Sequence, residues 1–169
     1  ISGTVDDSVG EAFDKVAAMI GLPYPGGPEI EALAKDADSN YFKMKPGVVK
    51  GRPLDFSFSG LKTKVLYAAK GQGSNKYSPL LISEDEKKHL AASFQECALN
   101  DIVNKSKLAL NEFTCKSIIL GGGVCNNQRL KDLFVEGIQD TPVFFPPKGL
   151  TMDNAAMIAM AGYQRMIQG

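Results

Sequence analysis

An α/β layered fold is predicted for this 169-residue chain by three observations. In the second half, apolar strand-like runs alternate with helix-like segments: "KSIIL", "NQRLKDLFVE", "PVFFPP" and "MDNAAMIAMAGYQRM". One of those runs ends in three consecutive glycines and feeds a helix, in "SIILGGGVCNNQRL" at 117–130. The first half has mostly helical apolar spacing, with a single strand-like stretch, "LDFSFSG". The expected division is therefore a mostly helical part with one strand pair over 1–115, and a strand, glycine turn and helix unit over 116–169.

Composition supports a globular chain with a buried core: 44% of residues are hydrophobic and 22% charged. Net charge is zero, 19 basic against 19 acidic residues, which argues against a strong nonspecific polyanion binder but leaves room for a local patch. No apolar run reaches the roughly 18 residues of a membrane span. The opening "ISGTVDDSVG" has neither the basic nor the apolar region of a signal peptide. Cys97, Cys115 and Cys125 are odd in number and lack C-x-x-C spacing, so they read as free thiols of a reducing cytosol.

In chain order, Ser8 and Glu11 form the pattern of a capping box, and a helix follows to about Ile20, with Phe13, Val16, Ala17 and Ile20 inward and Gly21 as its stop. "LPYPGGP" at 22–28 predicts a stiff loop, and "EIEALAKDA" a short helix. Residues 43–53, "KMKPGVVKGRP", form a loop carrying Lys43, Lys45, Lys50 and Arg52. In "LDFSFSG", Leu54, Phe56 and Phe58 alternate with Asp55, Ser57 and Ser59, the period of a half-buried strand. A helix over 61–69 and a loop, "KGQGSNKYSP", come next. Ser83 and Glu86 repeat the capping box before one long helix, or two joined near Asn104, with Leu90, Phe94, Cys97, Ala98, Ile102, Ala109 and Phe113 on one face. Then follow a buried strand in "KSIIL", the glycine turn, a helix over 127–136, a strand in "PVFFPP", and a well-buried C-terminal helix rich in Ala and Met.

Several residues are candidates for a site. Gly121, Gly122 and Gly123 leave bare backbone at a helix start, where N–H groups and the helix dipole favour a phosphate or a flat ring. The pattern is neither G-x-G-x-x-G nor a Walker A loop, so a Rossmann dinucleotide site and a P-loop are unsupported. Asn127 caps the following helix or turns its amide to a ligand. Asp153 caps the last helix or ligates a divalent metal. Asp14 is solvated, or accepts ligand hydrogen bonds if its helix lines a cleft; Gly26 and Gly27 offer another close backbone approach, and Glu31 can reach back towards it. His89, the single histidine, lies on a charged face and reads as solvated, which removes a Ser-His-Asp triad and any self-contained zinc site.

Taken together and in this order, "GEAFDK", "YPGGP", "LDFSFSGLKT", "LGGGVCNNQRL" and "MDNAAMIAMAG" resemble the tRNA N6-adenosine threonylcarbamoyltransferase family (TsaD, formerly labelled glycoprotease or O-sialoglycoprotein endopeptidase). The resemblance runs from about residue 3 to the C-terminus. It implies an actin-like, Hsp70-like ATPase fold, here a ribonuclease H-like lobe with extra helices. It also implies transfer of threonylcarbamoyl from threonylcarbamoyl-adenylate to the adenosine next to the anticodon of tRNAs reading A-starting codons.

By the same resemblance, Asp14, Gly27, Glu31 and Asn127 contact the adenylate or ATP, and the bare backbone of Gly122 and Gly123 is expected to lie against the same nucleotide. Asp153 ligates Fe(2+) or Zn(2+). The partners are tRNA, a paralogous actin-like subunit and a small ATPase subunit, in the cytoplasm and away from membranes. Family members are about twice as long, with an H-x-x-x-H metal motif in the N-terminal half. That motif is absent here, so the expected identity is a C-terminal half that is inactive alone. A non-catalytic scaffolding paralogue and another actin-like carbamoyltransferase or kinase are the competing readings.

Overall fold

The computed structural model describes residues 2–147 and 149–169. Its order is α1 (Val9–Met19), α2 (Gly26–Ala34), α3 (Ser59–Lys70), α4 (Glu84–Glu112), β1 (Ile118–Ile119), α5 (Gln128–Gly137), β2 (Val143–Phe144) and α6 (Ala155–Gln168). A 3-10 turn over Gly123–Asn126 links β1 to α5. The chain is α/β, mostly helical, with one small parallel sheet.

Helix α1 starts where Ser8 Oγ accepts the Glu11 N–H, while Glu11 itself turns to Lys15, so only half of the predicted capping box forms. At Ser83 both halves form, and α4 runs unbroken for 29 residues. The core lies between α1, α2, α3 and α4. Phe13 meets Phe94 edge-on at 4.9 Å between ring centroids, beside buried Val16, Ile20, Ile30, Leu61, Val65 and Leu90. Gly26 explains how α1 and α2 approach so closely. A Cβ there would sit 2.6 Å from Ala17 Cβ and 2.7 Å from Asp14 Cα. The predicted loop at 22–28 thus ends early, and "GGP" forms the first turn of α2.

Four expectations are corrected. "LDFSFSG" is no strand beyond one parallel bridge between Thr4 and Phe56. Asp6 takes the Ser57 hydroxyl at 2.6 Å and the Phe58 N–H at 2.8 Å, and the chain turns directly into α3. The "KSIIL" strand is only half covered. Ile118 and Leu120 pack on the core, but Ile119 is 80% exposed, because successive strand residues face opposite sides and one side of this sheet is open. His89 is not simply solvated: its Nδ1 accepts the Asp38 N–H at 2.9 Å and its ring stacks on Tyr41. Finally, α6 buries none of its residues, leaving Met157, Ile158, Met160, Tyr163, Met166 and Ile167 in solvent. Its apolar composition predicts burial, yet no layer of the described residues covers it. No described helix is long and apolar enough to cross a membrane.

The sheet is a β-α-β unit. Ile118 pairs with Val143 and Ile119 with Phe144 in parallel, and the connection runs through the glycine turn and α5. This unit presents the glycines at the carboxyl end of β1, where ligands of open α/β sheets lie.

Candidate functional site

The three glycines leave β1 into solvent, and all are exposed. Gly122 has φ +93°, a conformation that side chains resist. Where Cβ atoms would stand on Gly121 and Gly122 there is nothing within 4 Å, so the main chain faces open space. The bend is pinned from behind. The Gly122 N–H donates to Thr151 O at 2.9 Å, and Cys125 N–H to Gly122 O at 3.1 Å. Asn126 Nδ2 donates to the Thr151 hydroxyl at 2.7 Å, so the loop before α6 is tied to the glycine turn at two points.

That tie carries Asp153 to the same corner. It is exposed, two residues past buried Thr151, with Met152 alongside Gly123. The capping alternative for Asp153 is corrected: Asn154 caps α6, accepting the Met157 N–H at 3.1 Å. The Asp153 carboxylate makes no hydrogen bond among the described residues. These residues also contain no cluster of three or more His, Cys, Asp or Glu suited to a metal. A metal at Asp153 would need its other ligands from beyond the described residues.

Asn127 is the N-cap of α5. Its Oδ1 accepts the Leu130 N–H at 3.0 Å, and its Nδ2 donates to Gln95 Oε1 at 2.8 Å. It is 7% exposed, so most of its side-chain hydrogen-bonding capacity is spent within the fold. Asp14, on α1, accepts the Gly26 N–H at 2.7 Å through Oδ1. Gly27 follows in the first turn of α2, with open space at its Cβ position. Glu31, four residues on, accepts the Gln128 N–H at 2.6 Å. A carboxylate on the first N–H of α5 is favoured by that helix's dipole. Gly10 at the start of α1 lies against Val124 of the 3-10 turn, 3.6 Å from its ideal Cβ.

One chain of contacts thus runs from Asp14 through Gly26, α2 and Glu31 to the start of α5 beside Asn127. Of the expected residues, Glu31 and Asn127 serve largely to hold the start of α5 in place. Gln95 and Thr151 were missed. A glutamine on the apolar face of α4, between Phe94 and Ala98, was a readable signal for Gln95; nothing in the sequence marks Thr151.

Charged pairs brace the surrounding helices. Arg129 on α5 grips Glu96 of α4 with two bonds of 2.8 Å, and its guanidinium holds that carboxyl below the usual range. Asp7 is also held low, by hydrogen bonds from Lys15 and then Lys62. The three cysteines are free. Burial pushes the Cys97 thiol up to about 11 and raises that of Cys125.

The family model described as "TsaD: tRNA N6-adenosine threonylcarbamoyltransferase" matches residues 1–160. The chain is 54% identical over 165 residues to the tRNA N6-adenosine threonylcarbamoyltransferase of Protochlamydia amoebophila, covering 98% of this chain and 48% of that protein. To that of Chlamydia trachomatis serovar L2b it is 47% identical over 163 residues, 96% of this chain and 47% of the relative. To that of Chlamydia pneumoniae it is 46% identical over 163 residues, 96% and 46%. The chain spans about half the length of the curated relatives it matches. With this coverage and identity, the chain belongs to the tRNA N6-adenosine threonylcarbamoyltransferase family.

Proposed function

We propose that this chain forms one wall of the cleft in which threonylcarbamoyl is transferred from its adenylate to N6 of the adenosine next to the anticodon, in tRNAs reading A-starting codons. The observation that carries the reading is the exposed glycine turn at the end of β1, with empty space over Gly121 and Gly122. The adenylate would lie against that backbone. Gly27 would give its flank room, and the second oxygen of Asp14 would accept from ribose or amino groups. Asn127 and Glu31 would act by fixing the start of α5, and Gly122 and Gly123 by direct approach.

Catalysis by this wall is orientation and charge complementarity. Held against the bend, the adenylate would present its carbamoyl carbon to the tRNA amine, with the open glycine backbone against its nucleotide part. Asp153 would hold a divalent metal, Fe(2+) or Zn(2+), together with ligands from the other half of the protein. Such an ion supplies polarisation of the carbamoyl oxygen or the adjoining phosphate. The wider assignment follows: an actin-like ATPase fold, action in the cytoplasm, and a paralogous subunit and a small ATPase as partners. The uncovered apolar residues of α6 support a second half of the protein packing there.

The test is a tRNA modification assay on the complete protein, with Asp153→Ala as the variant. Loss of threonylcarbamoyladenosine formation at unchanged thermal stability is expected, and no activity from the 169-residue chain alone. Undiminished modification by the variant would overturn the role of Asp153. Full transfer by the isolated chain would overturn the shared cleft.

A further inference from the structure

The chain has no net charge, yet residues 39–54 contain Lys43, Lys45, Lys50 and Arg52 and no acidic residue. Such a concentration on one segment sets a local positive potential regardless of the overall balance. Lys43, Lys45 and Lys50 are exposed and make no ion pair among the described residues. Arg52 differs: its guanidinium meets the buried Oδ2 of Asp55 as an ion pair, which anchors the end of the segment.

The segment is irregular but fixed. Phe42 N–H donates to Ser93 Oγ at 3.2 Å at one end. In the middle, Gly47 lies so close to Ser57 that a Cβ would stand 2.4 Å from its carbonyl oxygen. A turn closes the far end, with Arg52 N–H on Val49 O at 3.1 Å. The lysines therefore project from an ordered strap.

Beside the strap is a cavity of about 480 Å³, with Lys43, Lys45, Asn40, Asn100 and Asn104 in its lining. Glu96 and Asp101 also line it, and each is already paired with a base. Glu96 is gripped by Arg129, and Asp101 accepts from Lys105 at 2.7 Å. Two unpaired ammonium groups and the side-chain amides of Asn40 and Asn104 remain as donors, since Asn100 Nδ2 is given to Glu96. This is a lining for anionic oxygens.

We infer that the strap over 43–52, with its cavity, is a phosphate-gripping surface for the tRNA backbone, separate from the glycine turn. This rests on the proposed tRNA substrate. Lysines and amides contact phosphate oxygens without reading sequence, which suits an enzyme that must accept several tRNAs. A lipid surface is disfavoured, since the strap is not an amphipathic helix and carries no apolar face to insert.

The experiment uses the complete protein and unmodified tRNA transcript, with binding followed by fluorescence anisotropy across a salt series. The variant is Lys43→Ala/Lys45→Ala/Lys50→Ala, compared with the triple Lys→Arg variant. The alanine variant is expected to bind tRNA at least about tenfold more weakly, with a slope of log Kobs against log salt shallower by about 2, at roughly 0.7–0.9 per lost phosphate contact. The arginine variant should bind like the parent, and AMP should bind all three proteins equally. Unchanged affinity and slope in the alanine variant would overturn the inference while leaving the transferase reading intact. A parent protein that binds no tRNA would overturn both. Binding of the parent to anionic phosphatidylserine vesicles in preference to tRNA would overturn the choice of ligand.

Discussion

Replacing Gly26 and Gly27 separately by alanine places the same methyl group in two opposite environments. At Gly26 the new Cβ meets Ala17 Cβ at 2.6 Å, Asp14 Cα at 2.7 Å and Phe13 O at 2.9 Å. Ordinary carbon contacts need about 3.5–4.0 Å, so α1 and α2 must part by roughly 1 Å. Two of the three obstructing atoms are backbone, which cannot rotate aside. Overpacking of this kind costs about 1–3 kcal/mol. The shift also stretches the Gly26 N–H bond to Asp14. The gain in helix propensity from glycine to alanine is at most about 1 kcal/mol. Strain wins, and Gly26→Ala should lose about 2 kcal/mol. At Gly27 nothing lies within 4 Å, so only the propensity gain applies and Gly27→Ala should be neutral or about 0.5–1 kcal/mol more stable. Urea unfolding of the complete protein followed by circular dichroism reads both, as a change in midpoint at constant slope. A Gly26→Ala variant as stable as the parent, or a Gly27→Ala variant equally weakened, would refute the packing argument.

Asn127→Ala removes the α5 cap and strands the buried Gln95 carbonyl, so about 2–4 kcal/mol of stability should be lost in the same unfolding measurement. For Asp7 the folded pKa is depressed. Its contribution to stability is present above the ordinary carboxylate value of 3.8 and disappears as pH falls through the folded value. Acid unfolding of Asp7→Asn should accordingly be flatter than that of the parent below about pH 4. At pH 8, iodoacetamide followed by mass spectrometry should label exposed Cys115 rapidly. Cys97, raised to about 11 by burial, and buried Cys125 should react slowly.

Much of this architecture was legible because it depends on local rules. The Ser83–Glu86 box, the apolar face of α4 and the Asn127 cap are written in short spacings, and each forms where its spacing places it. The strand at 54–58 was misread because its alternation was genuine but a nonlocal carboxylate, Asp6, captured the backbone that a partner strand would have used. The function of Gly26 was equally hidden: glycine pairs read as turns, and only the crossing of α1 and α2 shows a helix contact. For α6, composition predicts burial but cannot name the covering layer. In the site, the glycine bend and Asp153 were readable as types of chemistry. That Thr151 ties them into one corner depends on contacts across 29 residues of chain.

The central claim is that the open backbone at residues 121–123 is the floor of an adenylate cleft, and Gly121→Val tests it most directly. A Cβ there meets no protein atom within 4 Å, and no positive φ resists it, so folding should be unaffected. Isothermal titration of AMP into the complete protein is the measurement. The account predicts binding lost in the variant at unchanged Tm, because the isopropyl group occupies the space the nucleotide needs. Nucleotide affinity equal to the parent's would contradict it.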